Sequence, residues 1–238
     1  MFNFRDGKSE NKSDDFPGFN YLCSKYANIL NDGMFEPKLG QIFSPPESPR
    51  RNRTENQLKA VVAEEKKALG FGVEFVFDEF LPMLMEGGEL EEFFAFPMVQ
   101  YAREEFSKES LLVDLNFEAG VETIIVGDIH GQFDDLLLIF EKFGRPGKDK
   151  RFIFNGDIVD RGPRSVACWL LICSLKVSCP EYVFVTRGNH ETRTVSLLHS
   201  SFASECANNY TQSFFLLCQK TFDELPLAYV LNKTIFVN

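Results

Sequence analysis

Three times between residues 121 and 191, a short run of β-branched and aromatic residues breaks off into a polar cluster led by glycine. Thr123–Val126 runs into Gly127-Asp128-Ile129-His130-Gly131-Gln132. Phe152–Phe154 runs into Asn155-Gly156-Asp157-Ile158-Val159-Asp160-Arg161-Gly162, and Tyr182–Thr186 into Arg187-Gly188-Asn189-His190-Glu191. Between the first two runs, Leu136, Ile139, Phe140 and Phe143 recur at helical spacing, opened by Asp134-Asp135 and closed by Gly144. Between the second and third, Val166, Trp169, Leu170 and Cys173 do the same and stop near Cys179-Pro180. Strand–helix–strand alternation of this kind predicts an α/β unit with parallel strands. In open α/β sheets sites form beyond the carboxyl ends of the strands, so the three clusters are expected to converge. A long helix from about Ser204 to Phe222 and a fourth strand, Thr234–Val237, follow.

The converging side chains are carboxylates, an amide oxygen and imidazoles. That donor mixture suits a borderline divalent ion such as Mn, Fe or Zn; a thiolate-rich structural zinc site looks different. Asp128 and His130 lie two apart in a strand-exit loop and could share one ion. Asp157 could bridge to a second ion, held through the Asn189 side-chain oxygen. Gly127, Gly156 and Gly188 each stand where a strand turns at once into a loop, a position that asks for positive φ or close backbone approach. Any one cluster is common by chance. Three in a row, each after a strand and each led by glycine, outweigh the reading of satisfied loop polars.

The rest of the chain sets limits. It has 238 residues, 44% hydrophobic with 26 Phe, enough for one large domain or two small ones. Its 25 Lys/Arg against 35 Asp/Glu give −10, which argues against a nucleic-acid coat. Residues 1–58 hold eight basic and eight acidic residues and read as a disordered leader rich in Pro and charge. Within it, Ser44 and Ser48 precede prolines and Arg50–Arg53 is basic; both features read as solvated linker. A folded unit is expected over 59–238, beginning with helical spacing at Leu58, Val61 and Val62 and again at Phe77, Phe80, Leu81 and Leu84. Pro82 conflicts with that second helix unless it lies in the first turn. Met98, Tyr101, Ala102 and Phe106 suggest another helix, leading to Leu111-Leu112-Val113, and the acidic run Glu86 to Glu92 reads as a solvated face. No apolar run is long enough for a bilayer, and the amino terminus is too polar for a secretory segment. Six cysteines without a Cys-x-x-Cys pair read as reduced thiols, giving a cytoplasmic or nuclear expectation.

Gly127-Asp128-Ile129-His130-Gly131, Gly156-Asp157-Ile158-Val159-Asp160-Arg161-Gly162 and Gly188-Asn189-His190-Glu191 resemble, in order and spacing, the signature motifs of the PPP family of protein serine/threonine phosphatases. The likeness covers about residues 75–238 and includes Phe222-Asp223-Glu224-Leu225-Pro226-Leu227-Ala228. It implies the calcineurin-like metallophosphoesterase fold, a central β-sandwich flanked by helices. It also implies two divalent metal ions whose bridging water or hydroxide attacks phosphorus in line. On that reading Asp128, His130 and Asp157 hold the first metal, Asp157 bridges, and Asn189 holds the second. His190 is the general acid, Asp160 orients and charge-tunes it, and Arg161 grips phosphate oxygens. Phosphoprotein substrates and regulatory subunits would be the partners. Arg187 and Arg193 add positive potential without an assigned role. His199 falls where the family has Tyr-Gly-Phe and reads as a surface helix residue.

The sequence also departs from the family. After Thr234-Ile235-Phe236-Val237-Asn238 the family continues into His-Gly-Gly, whose histidine binds the second metal. The expectation is therefore a C-terminally truncated domain: an incomplete second metal site, a missing portion of the second sheet, and apolar strand faces and an unpaired edge left exposed. Two rival readings stand beside the phosphatase. One is a catalytically incomplete product that binds phosphatase partners or substrates. The other is a metallophosphoesterase directed at nucleotides, against which Asp160-Arg161-Gly162, Glu191 and Leu225-Pro226 weigh.

Overall fold

The computed structural model describes residues 72–85, 90, 92–199 and 201–238. The expected leader over 1–58, the helix opening at Leu58 and most of the acidic run Glu86 to Glu92 lie outside them. Strands β2 (Glu122–Val126), β3 (Lys150–Phe154) and β4 (Val183–Val185) form one parallel sheet in that order, with Val126 beside Phe154 and Phe154 beside Val185. Helix α3 (Phe133–Phe143) joins the first pair and α4 (Ser165–Ser178) the second. Phe152, Ile153 and Phe154 are all fully buried, as a central strand covered on both faces requires. Helix α4 is apolar all round and buried nearly all round, which places it inside the molecule. Its Trp169 is the expected core residue, stacked on Phe106 at 6.2 Å and edge-on to Phe222 at 4.8 Å. Each such burial contributes about 1.5–3 kcal/mol.

The fourth expected strand joins a different sheet. β6 (Ile235–Val237) runs antiparallel to β5 (Ala228–Leu231), and β5 runs parallel to β1 (Leu112–Leu115). This second three-stranded sheet packs on the first: Ile153 and Phe184 meet Tyr229, Leu231 and Val237, flanked by Val113, Leu115 and Phe117. The result is a β-sandwich, with β1 and β5 hidden from sequence reasoning because each is four residues long and follows a helix or a proline turn. A second sheet thus exists, yet its outer residues are uncovered. Ile235 is 52% and Phe236 62% exposed, and an open cleft of about 330 Å³ runs between Ile125 of β2 and Leu231 and Ile235 of the second sheet.

The helices correct two further expectations. Helix α1 consists of Val73–Phe75, a π-helical stretch Val76–Phe80 and Leu81–Met85. Pro82 lies inside this continuous run, directly after the π-helical stretch in which Leu81 N donates to Val76 O, and that wider turn is what accommodates it. Helix α2 is Glu92–Phe106, and α5 is Arg193–His199. The single helix expected from Ser204 to Phe222 is two, α6 (Ser201–Asn209) and α7 (Gln212–Asp223). Thr211 breaks them: its hydroxyl accepts from Phe214 N as an N-cap, and Glu92 accepts from its own N–H at 2.6 Å.

Candidate metal centre

The carboxyl ends of β2, β3 and β4 deliver the three clusters to one place, and backbone hydrogen bonds stitch them together. Ile129 N and His130 N both donate to Asp157 O, at 3.0 and 2.9 Å, and Gly162 N donates to His130 O at 2.8 Å. Two glycines make the approach possible. Gly156 has φ +71°, and a Cβ there would stand 2.4 Å from Gly188 N; a Cβ on Gly188 would stand 2.3 Å from Asp157 N. Gly127 differs from expectation: a Cβ there would meet nothing within 4 Å. His130, Asp157, Asp160 and Arg161 all have positive φ, the strained backbone that clusters at functional sites.

His130 Nδ1–H donates to Val159 O at 2.9 Å, which fixes the ring and leaves Nε2 as the lone-pair nitrogen. That Nε2 is buried and has no hydrogen-bond partner, with Asp128 Oδ2 3.7 Å away on a side chain 61% exposed. Ligand atoms of His130, Asp157 and His190 lie within 4.8 Å of one another. Asn189 places one side-chain atom 3.0 and 3.3 Å from the two Asp157 oxygens. With its amide oxygen in that position, only oxygens face each other, an arrangement a cation between them would stabilise; turned over, the amide nitrogen donates to Asp157. An orphaned buried imidazole nitrogen near the Asp157 carboxylate, which itself lies against the Asn189 amide, fits a borderline divalent ion.

Beside this centre His190 Nδ1–H donates to Asp160 Oδ2 at 3.0 Å, both side chains being buried. The other oxygen, Asp160 Oδ1, accepts from Phe202 N at 3.0 Å, and Asp160 N donates to Ser165 Oγ at 3.1 Å. Arg161 Nη2 donates to His190 Nε2 at 3.3 Å. A guanidinium on that nitrogen opposes a metal there, so His190 falls beside the ligand set although it is close to it. All seven residues singled out from the sequence (Asp128, His130, Asp157, Asp160, Arg161, Asn189 and His190) therefore occupy one locality.

Glu191 is the residue whose part sequence reasoning missed. Its Oε1 accepts from Ile158 N at 2.8 Å and Val159 N at 3.2 Å, and its Oε2 from Asp157 N at 2.8 Å and Gly188 N at 3.1 Å. One fully buried carboxylate thus knots the second and third clusters. Burial, then the Asp157 charge, pushes its pKa up to about 7 in spite of these four donors. The signal available was its place directly after the Asn189-His190 pair, a carboxylate in a loop region whose buried N–H groups need acceptors.

Other expectations resolve nearby. Arg187 and Arg193 both pair with Asp223, so much of their positive potential is spent locally. The His199 side chain lies outside the described residues. Cys168, Cys173, Cys179, Cys206 and Cys218 are buried free thiols, and burial pushes Cys179 up to about 12. Among the described residues no helix is long and apolar enough to cross a membrane.

Comparison with known proteins agrees with this geometry. Residues 122–238 match the calcineurin-like phosphoesterase family. The serine/threonine-protein phosphatase 5 of Arabidopsis thaliana is 36% identical over 148 residues, 62% of this chain and 27% of the relative. The serine/threonine-protein phosphatase T of Saccharomyces cerevisiae is 34% identical over 166 residues, 69% of this chain and 32% of the relative. A solved Saccharomyces cerevisiae protein serine/threonine phosphatase superposes with a TM-score of 0.63 at 34% identity, covering 68% of this chain and 51% of that one. The chain spans about 27–32% of the length of these curated relatives. Residues 122–238 thus carry a calcineurin-like phosphoesterase match, and the relatives and solved structure that the chain resembles are protein serine/threonine phosphatases.

Proposed function

We propose that this chain carries the phosphate-handling face of a metal-dependent protein serine/threonine phosphatase acting on phosphoserine and phosphothreonine. The observation that carries the reading is the orphaned, buried His130 Nε2 beside Asp157, with the His190–Asp160 pair alongside. Asp128, His130 and Asp157 would hold one divalent ion (Mn, Fe or Zn), and Asp157 and Asn189 a second. Such ions, when bound, supply the nucleophile and offset charge developing on the phosphoryl oxygens.

The protein's own side chains do the rest. Arg161 offers a planar fork to two phosphate oxygens. Drawn onto phosphate, it leaves His190 Nε2 free to take a proton from solvent, and the resulting imidazolium delivers that proton to the departing serine or threonine oxygen. Asp160 holds the ring through Nδ1 and stabilises the imidazolium that precedes this transfer. Substrates would be phosphoproteins, with regulatory subunits setting the choice among them, in the cytoplasm or nucleus.

A second reading has its own support. Of the residues that the family likeness assigns to a second ion, this sequence supplies Asp157 and Asn189, whose side chains lie 3.0 Å apart. A chain with one tight ion would bind phosphoester and turn it over slowly, acting as a binding module. Rates on phosphoserine and phosphothreonine peptides, measured with Mn beside rates on dinucleoside polyphosphates, test the assignment. Faster hydrolysis of the peptides is expected. A strong preference for the nucleotides would replace the protein-phosphatase reading by a nucleotide-directed one.

A further inference from the structure

Helix α6 lies outside the three motifs, yet it reaches the His190–Asp160 pair twice. Its Phe202 N donates to Asp160 Oδ1 at 3.0 Å, so the second oxygen of the orienting carboxylate is held by α6 and not by its own loop. The Phe202 ring is fully buried against Phe222 at 5.7 Å and Phe215 at 6.1 Å, which keeps that N–H in place from one side. One turn further on, Glu205 Oε2 accepts from Ser165 N at 2.8 Å and Oε1 from Val166 N at 3.1 Å.

These two N–H groups open α4, whose N-cap position is Arg164, a side chain that makes no cap hydrogen bond. The first N–H groups of a helix need acceptors, and a negative charge at that end is favourable. Glu205 supplies both from another helix. It thereby clamps α6 onto the residue, Ser165, whose hydroxyl accepts from Asp160 N at 3.1 Å. The clamp and the Phe202 contact close a ring of contacts: Asp160 to Ser165, Ser165 to Glu205, Glu205 along α6 to Phe202, and Phe202 back to Asp160.

We propose that Glu205 is a positioning residue for the catalytic pair, holding α6 against the start of α4 so that Phe202 N–H and Ser165 Oγ together fix Asp160 and, through it, the His190 ring. Its catalytic consequence rests on the function proposed above; its effect on the ring does not. Removing the carboxylate frees Ser165 N and Val166 N, lets the first turn of α6 move, and lets the Asp160 carboxylate rotate away from His190 Nδ1.

The test is the ring ¹⁵N spectrum of the metal-free chain, which has three histidines, assigned with His190→Asn. In the unsubstituted protein His190 Nδ1 is expected to carry the shift of a protonated nitrogen. In Glu205→Ala that shift moves toward the tautomer average of a mobile ring. Glu205→Gln keeps the volume and one acceptor oxygen, and is expected to move it part of the way. Ile153→Val, a core truncation elsewhere, leaves it in place. With phosphopeptide substrate, Glu205→Gln lowers kcat about tenfold at constant KM, a fraction of what a general acid contributes. An unchanged Nδ1 shift in folded Glu205→Ala, or in Glu205→Gln should the alanine variant not fold, overturns the proposal, as does an equal shift in Ile153→Val. Absent turnover in the unsubstituted chain, with the Nδ1 shift still responding to Glu205, would strike the phosphatase reading alone.

Discussion

Strand β4 ends in two buried charged knots that differ in one respect. Before the strand, Lys176 Nζ bonds Glu109, Val183 O at 3.0 Å and Pro180 O at 3.3 Å, and Glu109 also accepts from the Tyr229 hydroxyl at 2.6 Å. Charge there is balanced by a protein cation. After the strand, Glu191 is knotted by backbone N–H groups alone, with the Asp157 carboxylate raising its pKa further. That knot is geometrically satisfied and electrostatically unfinished. The difference teaches where to look for function: a buried ion pair that closes on itself serves the fold, whereas carboxylates gathered without a counter-charge beside a lone imidazole nitrogen are built for an external cation.

The largest effect that would break this comparison is at the closed knot. Lys176→Met strands Glu109 beside Tyr229 and is expected to cost about 3 kcal/mol in urea unfolding, while metal binding stays unchanged. Adding Glu109→Gln should recover most of that loss. Loss of metal binding in Lys176→Met at a temperature where the variant is folded would mean that the two ends of β4 are not independent.

At the open knot the sign depends on pH. The pKa of Glu191 is raised from 4.5 to about 7 in the folded chain, so the folded state holds a proton between those values that the unfolded chain has released. The stability this proton confers is complete below about 4.5 and is lost as pH rises through 7, a change on the order of 3 kcal/mol for a group this buried. Urea titrations of the metal-free chain should show the decline; added Mn should flatten it. Glu191→Gln should also flatten it, and should cost about 2 kcal/mol at low pH because an amide NH₂ then faces backbone N–H donors.

A smaller effect sharpens the contrast. Asp157→Asn removes the charge that opposes Glu191, so the metal-free variant is expected to melt about 2–4 °C higher at pH 7.5, worth roughly 1 kcal/mol. The same variant should bind no metal by titration calorimetry. A lower melting temperature would show that Asp157 is held by contacts worth more than its repulsion.

Much of this was legible in the sequence because it is local. Gly156-Asp157 and Gly188-Asn189 report a close backbone crossing, and the runs before them report strands by β-branching alone. Two strands of the second sheet were hidden for a physical reason: Leu112–Leu115 and Ala228–Leu231 are short and acquire strand character only by pairing with each other across 116 residues of chain. Thr211 divided the expected long helix because its cap needs Glu92, a distant partner. Glu191 was read as a family mark beside the acid His190. Its load, four N–H groups from two loops, appears only when those loops meet. Phe202 and Glu205 carry no motif at all, and their relation to Asp160 exists only in three dimensions.

The central claim, that Asp157 gathers metal while His190 moves a proton, is tested most directly by measuring bound Mn and phosphopeptide hydrolysis together in His190→Asn and Asp157→Asn, against the unsubstituted chain. His190→Asn is expected to keep its metal and lose turnover by about 10²–10⁴, and Asp157→Asn to lose both. Equal metal loss in the two variants would contradict the division of roles.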